Sequence, residues 1–215
     1  MRHVIAILVM VSVAAFCARA AAPEKTYKLD DEGFIRNWLV ADPVQLDDKA
    51  SNHDEENQKA FFDKDYVKKM EANPKPGDKL KADGKDLNWK AEEAEDFNLN
   101  LIKVGEKRSA STDNTLWLGV AYVWTDDEVK GAKLSIGSDD SSVWWVNGKE
   151  VIRVYAGRAS EKDQDSSSEL TLKKGMNVVR FAVINGNGEA GACAHFKNAS
   201  GDAIKNLKVS VEPGN

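Results

Sequence analysis

Few side chains in this sequence are equipped for chemistry. Its 215 residues include 2 cysteines, 3 histidines and 5 prolines. Cys17 falls in the N-terminal apolar segment, which leaves Cys193 without an intramolecular disulfide partner in the rest of the chain. His53 and His195 have no companion at a metal-ligand spacing such as His-x-x-x-His. There is no Gly-x-Ser-x-Gly nucleophile elbow and no phosphate-cradling glycine loop. Positive charge is in deficit, with 30 Lys and Arg against 35 Asp and Glu and a net charge of −5. That balance argues against nucleic acid and anionic lipid as partners. The apolar run Val4 to Phe16 is shorter than the ~20 residues that span a bilayer, so no transmembrane anchor is expected. Carboxylates are too abundant for any one pair to signal glycoside hydrolysis. These absences predict a non-catalytic protein with no organic cofactor.

What is present begins with a processing signal. Arg2 and His3 form a short basic start, Val4 to Phe16 the apolar segment, and Ala18-Arg19-Ala20 a small-x-small cleavage site, so residues 1–20 read as a signal peptide. The expected product is soluble and exported, either periplasmic or extracellular. An exported domain without disulfides fits a bacterial envelope better than a stapled secreted scaffold. The remaining chain can bury ~70% of its unfolded surface in one core. Cys193 reads as a small buried residue rather than a reactive thiol.

Residues 21–78 predict an N-terminal extension of the main domain. Phe34 to Val40 reads as a strand ended by Asp42-Pro43, and Asp47 to Asn57 is an acidic loop. Phe62, Tyr66 and Met70, spaced i, i+4, i+8, predict a helix over 59–70, stopped by Asn73-Pro-Lys-Pro-Gly77. From 79 to 215 the pattern changes to short strands separated by turn signals. Phe97 to Leu101 alternates cleanly, and Thr115 to Trp124 is too apolar for either face to be wet. In Asn177 to Asn185, Val179, Phe181 and Val183 share one face, while Val178, Ala182 and Ile184 share the other. The expectation is an all-β, antiparallel β-sandwich or jelly roll with a short helix in the extension.

The densest signal runs from Lys133 to Tyr155. Asn147-Gly148 between two apolar runs specifies a hairpin, since both central residues of a type I′ turn need positive φ. Leu134 to Ile136, across the polar break Gly137 to Asp140, is expected to complete a three-stranded meander. Alternation sends Trp144 and Trp145 to opposite faces, so one belongs to the core and the other to a surface. Exposed indoles with a few polar groups are how sugars are commonly held. Trp144 or Trp145, Tyr155 and Arg158 are therefore the candidate ligand platform, against the alternative that the aromatics only pack.

Two family resemblances rest on these motifs. Ile136 to Val151, with Asn147-Gly148, followed by Leu172-Lys-Lys-Gly175-Met-Asn177, resembles the galactose-binding-like jelly roll, close in pattern to the sugar-binding domain of family 2 glycoside hydrolases. The opening Trp38-Leu-Val-Ala-Asp-Pro-Val44 is similar to one that precedes such jelly rolls in exported bacterial proteins, with Asp42 and Val44 departing from the pattern. Gly137-Ser-Asp139-Asp140-Ser-Ser-Val143 also resembles the PA14 β-sandwich. That resemblance implies calcium held by Asp139 and Asp140 and bridging to sugar hydroxyls; the alternative is that both carboxylates only satisfy backbone amides. The resemblances imply a carbohydrate partner, while a structural or protein-interaction module of the envelope, contacting envelope or secreted proteins, stays open.

Overall fold

The structure, a computed structural model, describes residues 22–68, 70 and 73–214. The signal-peptide assignment of residues 1–20 lies outside them. The elements in chain order are β1 (Tyr27–Lys28), β2 (Asn37–Ala41), β3 (Val44–Gln45), a 3-10 turn (Asp48–Asn52), α1 (Glu55–Phe62), α2 (Asp65–Lys68), β4 (Lys79–Ala82), β5 (Lys85–Glu93), β6 (Leu99–Asn100), α3 (Leu101–Lys107), β7 (Thr115–Thr125), β8 (Val129–Asp139), β9 (Ser141–Val146), β10 (Lys149–Val154), β11 (Asp165–Ser166), β12 (Leu170–Leu172), β13 (Gly175–Asn185), β14 (Gly191–Lys197) and β15 (Lys208–Ser210).

The chain is an all-β sandwich of two antiparallel sheets. The larger runs β10-β9-β13-β7-β2-β5-β4, and the smaller runs β11-β8-β14-β6 with β12 beside β8. β7 organises the larger sheet. One edge pairs with β13 over its whole length, and the other is shared by β15, β2 and β3 in turn. Every residue of β7 is buried, as its apolar run requires. β2 is thus an interior strand between β7 and β5 although it comes from the N-terminal extension.

The two faces of the larger sheet bury different partners. Trp38, Trp117, Trp144, Val179, Phe181 and Val183 face the smaller sheet and meet Leu134, Ile136, Ala194 and Phe196 there. Leu118, Tyr122, Val143, Val178, Ala182 and Ile184 face the other way, under Phe61, Phe62, Tyr66 and Val67 of the extension. The β13 residues divide between the faces as period-2 alternation dictates.

Two local expectations are corrected. The helix of 59–70 is two short helices and begins earlier, because Asp54 caps α1 by accepting from Asn57 N, and the chain turns at Asp63-Lys64. The strand over 97–101 keeps only Leu99–Asn100. Asn100 then accepts from Lys103 N as the N-cap of α3, a helix whose Leu101 and Val104 enter the inter-sheet core. Cys193 is buried, and burial pushes its thiol up to about 12, as suits a packing residue. Among the described residues no helix is long and apolar enough to cross a membrane.

Candidate functional site

The segment read as a turn within a meander is the point where the chain changes sheets. β8 pairs with β14, β11 and β12, whereas β9 pairs with β13 and β10. Only the β9–β10 hairpin of the expected meander exists, turned by Asn147 (φ 52) and Gly148 (φ 78). Gly137 serves a close approach rather than a turn, since a Cβ there would collide with the Glu161 carbonyl. A buried hydroxyl chain holds the crossing: Trp144 Nε1 donates to Ser142 Oγ (3.0 Å), Ser142 Oγ to Ser138 Oγ (2.8 Å), and Ser138 Oγ is within 2.9 Å of Asp140 O.

Asp139 and Asp140 sit at this crossing, joined by a cis peptide bond, with 8% and 6% of their surface exposed. Asp140 Oδ1 accepts from Arg158 N (3.1 Å) and its Oδ2 from Gly186 N (3.0 Å). Asp140 N donates to Ile184 O, so Asn185 lies between two residues bonded to Asp140. Asn185 is fully buried; its Nδ2 donates to Thr112 O, and its Oδ1 has no partner. Burial, and then the neighbouring Asp140 charge, raise the Asp139 carboxyl to about 7, with Glu189 adding to the repulsion. The backbone-amide reading of the pair therefore describes Asp140, which accepts from two amides, and in part Asp139. The Asp139 carboxyl has a backbone hydrogen bond with Ser160 and a side-chain one with Asp140, although burial and the neighbouring charge outweigh them there.

The extension closes one side. His53 follows the 3-10 turn in the left-handed region (φ 52, ψ 22), and its Nε2 lies 4.0 Å from Asp140 Oδ2. Its ring fills space that a Cβ on Gly157 would enter at 2.6 Å and one on Gly186 at 3.3 Å. Neither His53 nor Asn185 is marked out by the sequence as part of a site, and nothing local to His53 places it beside a residue 87 positions away.

The four-residue platform does not assemble. Trp144 is fully buried against Trp38 and Phe181 (ring centroids 6.2 and 5.3 Å), because β9 turns that face toward the smaller sheet. Trp145 takes the opposite face, half-buried in a cavity of ≈100 Å³ with Val67, Lys68, Met70, Gly148 and Arg180. Tyr155 lies at the far end of the β9–β10 hairpin, 6.4 Å from Phe62, and its hydroxyl accepts from Arg153 Nη1 (3.2 Å). Arg158 belongs to the crossing: its Nη2 donates to Ser138 Oγ and pairs with Asp165 (2.6 Å). The Asp163–Asp165 loop does reach β8, but its carboxylates are engaged. Asp163 bonds His195 Nε2 (2.7 Å), Ser135 Oγ (2.7 Å) and Lys197 Nζ (2.9 Å), and these partners hold its carboxyl well below the usual range.

Among the described residues no three His, Cys, Asp or Glu side chains form a group that could hold a metal ion. A cation at the pair would draw its other ligands from amide and main-chain oxygens, which suits calcium and not zinc. Both Asp140 oxygens keep lone-pair capacity beyond the bonds they accept. These oxygen donors are of the kind calcium takes, and Asn185, whose neighbours bond Asp140, carries a further buried oxygen without a partner.

No family model matches the chain, and no curated protein matches it. Among solved structures, it is similar to an anti-sigma factor domain-containing protein (13% identity, TM-score 0.42, 58% of this chain and 40% of that one). It is similar to the PA14 sugar-binding domain of an RTX adhesin at 11% identity and TM-score 0.44, covering 84% of this chain and 99% of that domain. It is also similar to the epithelial adhesin 9 A domain of Candida glabrata, solved with Galβ1-3GlcNAc, at 8% identity and TM-score 0.43, covering 91% and 96%. The chain spans 15% of a similar β-glucosidase from Kluyveromyces marxianus. Every TM-score among these is below 0.5, so the site has to be read from its own geometry.

Proposed function

We propose that the protein is an exported, non-catalytic carbohydrate-binding module whose ligand is held at the Asp139–Asp140 crossing with the help of calcium. The observation that carries this reading is the pair itself, two adjacent buried carboxylates, with Asn185 between the two residues whose backbone bonds Asp140. Like charges so placed repel, and an unsatisfied buried acceptor costs about 1–3 kcal/mol. A divalent cation shared by the two carboxylates relieves the repulsion, and would relieve the Asn185 acceptor if it coordinates there as well. Asp139, Asp140 and Asn185 would hold it, and a bound calcium ion would offer remaining coordination positions to paired sugar hydroxyls. Arg158 N and Gly186 N orient Asp140, while Arg158 fixes Ser138 and the 163–165 loop behind it.

Thermal unfolding with and without millimolar calcium tests the cation, because a ligand bound only by the folded state raises its stability. A glycan array read with calcium and then with chelator tests the sugar. Calcium stabilisation with chelator-sensitive glycan binding is expected. Neither signal appearing would sink the proposal.

A second reading keeps Trp145 as an indole platform. Its cavity adjoins a larger recess of ≈420 Å³ lined by Asn147, Lys173, Met176 and Val178, which shares Gly148 and Arg180. Glycan binding that resists chelator and is lost in Trp145→Ala would favour it.

A further inference from the structure

His53 stands beside the Asp139–Asp140 pair but is poorly held there. Its Nδ1 is buried without a partner, and its Nε2, at 4.0 Å from Asp140, is beyond hydrogen-bond reach. It is a non-glycine residue in the left-handed region, uncommon for L side chains. Its ring keeps its place by shape, in a slot that exists because residues 157 and 186 lack a Cβ.

The backbone that carries it is anchored. Ser51 Oγ donates to Asn114 Oδ1 (2.5 Å), the Ala50 carbonyl accepts from the buried Gln58 Nε2 (2.8 Å), and Asp54 caps α1. Asn114 N in turn donates to Gly186 O (2.7 Å), which ties the segment to the loop that contacts Asp140. A firmly mounted segment therefore ends in a loosely satisfied ring at the candidate cation site.

We propose that His53 is a built-in stopper: its ring closes the approach to Asp140, and calcium enters as the ring leaves the Gly157–Gly186 slot. The inference rests on the calcium reading above. The coupling is reciprocal, since whatever disfavours the seated ring favours the cation by the same factor. The ring's removal leaves the anchored backbone in place, and glycine accepts its left-handed conformation at no steric cost.

Calcium titration of the whole exported chain by calorimetry tests this, comparing wild type with His53→Gly, Gly157→Ala and Asp139→Asn. His53→Gly removes the stopper. Gly157→Ala expels the ring from its slot by a separate route. Both are expected to bind calcium about tenfold more tightly than wild type, the affinity equivalent of one poorly satisfied polar contact. Asp139→Asn should lose binding. Circular dichroism in chelator confirms that each variant folds, and Gly157→Ala decides the matter if His53→Gly does not. Unchanged or weaker calcium affinity in both ring variants, with wild type binding, overturns the stopper and leaves the calcium reading standing. No binding by wild type or either ring variant overturns both. Binding by the ring variants alone supports the stopper in its strongest form.

Discussion

The two faces of the larger sheet are closed in different ways. The inner face meets another sheet, so rows of side chains from β7, β9 and β13 interlock with rows from β8 and β14, and Trp38 packs edge to face against both Trp144 and Phe181 at its centre. The outer face is covered by short helices of the N-terminal extension, and the cover is incomplete. A half-buried indole, two adjoining recesses and an arginine-aromatic stack of Arg153 with Phe62 and Tyr155 lie along it. A sheet offers a continuous surface matched to another sheet's twist, whereas helices of four to eight residues leave gaps at their ends. Rigidity belongs to the first face, and openings to the second and to the crossing where the chain passes between sheets.

Truncating the neighbouring tryptophans is the sharpest way to break this contrast. Trp144→Ala should cost about 3–5 kcal/mol in urea unfolding, because it opens a cavity between two sheets that cannot collapse. Phe62→Ala on the outer face should fall at the low end of that range, about 3 kcal/mol, since a short helix can settle toward the sheet. Trp145→Ala should cost about 1 kcal/mol, the residue being already partly in water. Equal losses for Trp144→Ala and Trp145→Ala would mean the faces are closed equally well.

The remaining expected effect is a slope rather than a loss. The Asp139 carboxyl is raised from 3.8 to about 7 in the fold. Between those pH values the folded chain holds a proton that the unfolded chain has released, so stability falls as pH rises through that window and levels off above it. Asp139→Asn should flatten this slope in denaturation measured from pH 4 to pH 8, and saturating calcium should do the same in wild type. Asp163 has the opposite sign. Its carboxyl is lowered, so its contribution is present above the ordinary aspartate range and fades as pH falls below it. A wild-type slope unchanged by Asp139→Asn would show that the pair does not repel in the folded state.

Much of the fold was legible because it depends on short-range periodicity. The alternation in Asn177 to Asn185 assigned each β13 residue to its face, and the continuous apolar run of Thr115 to Trp124 marked a strand buried on both sides. Asn147-Gly148 specified its hairpin through backbone sterics alone. The misreadings arose where a local pattern had two outcomes. Phe97 to Leu101 alternates like a strand, but the Asn100 cap turns it into α3. Gly137 to Asp140 carries the composition of a turn, yet tertiary packing draws it straight across the sandwich, with Gly137 giving room to the Glu161 carbonyl.

By itself, then, the sequence determined the sandwich class, the division of strand residues between two faces and the opposite destinies of Trp144 and Trp145, all consequences of a side-chain period of two. Tertiary structure alone decided that β8 and β9 join different sheets, that Arg158 braces the crossing, and that His53 and Asn185 flank Asp139 and Asp140. Asp140 meets His53, Gly186 and Ile184 across 87, 46 and 44 residues of sequence, and only Arg158, 18 residues on, is nearer. No local propensity encodes such distances; they follow from how two sheets and an N-terminal segment close around one core.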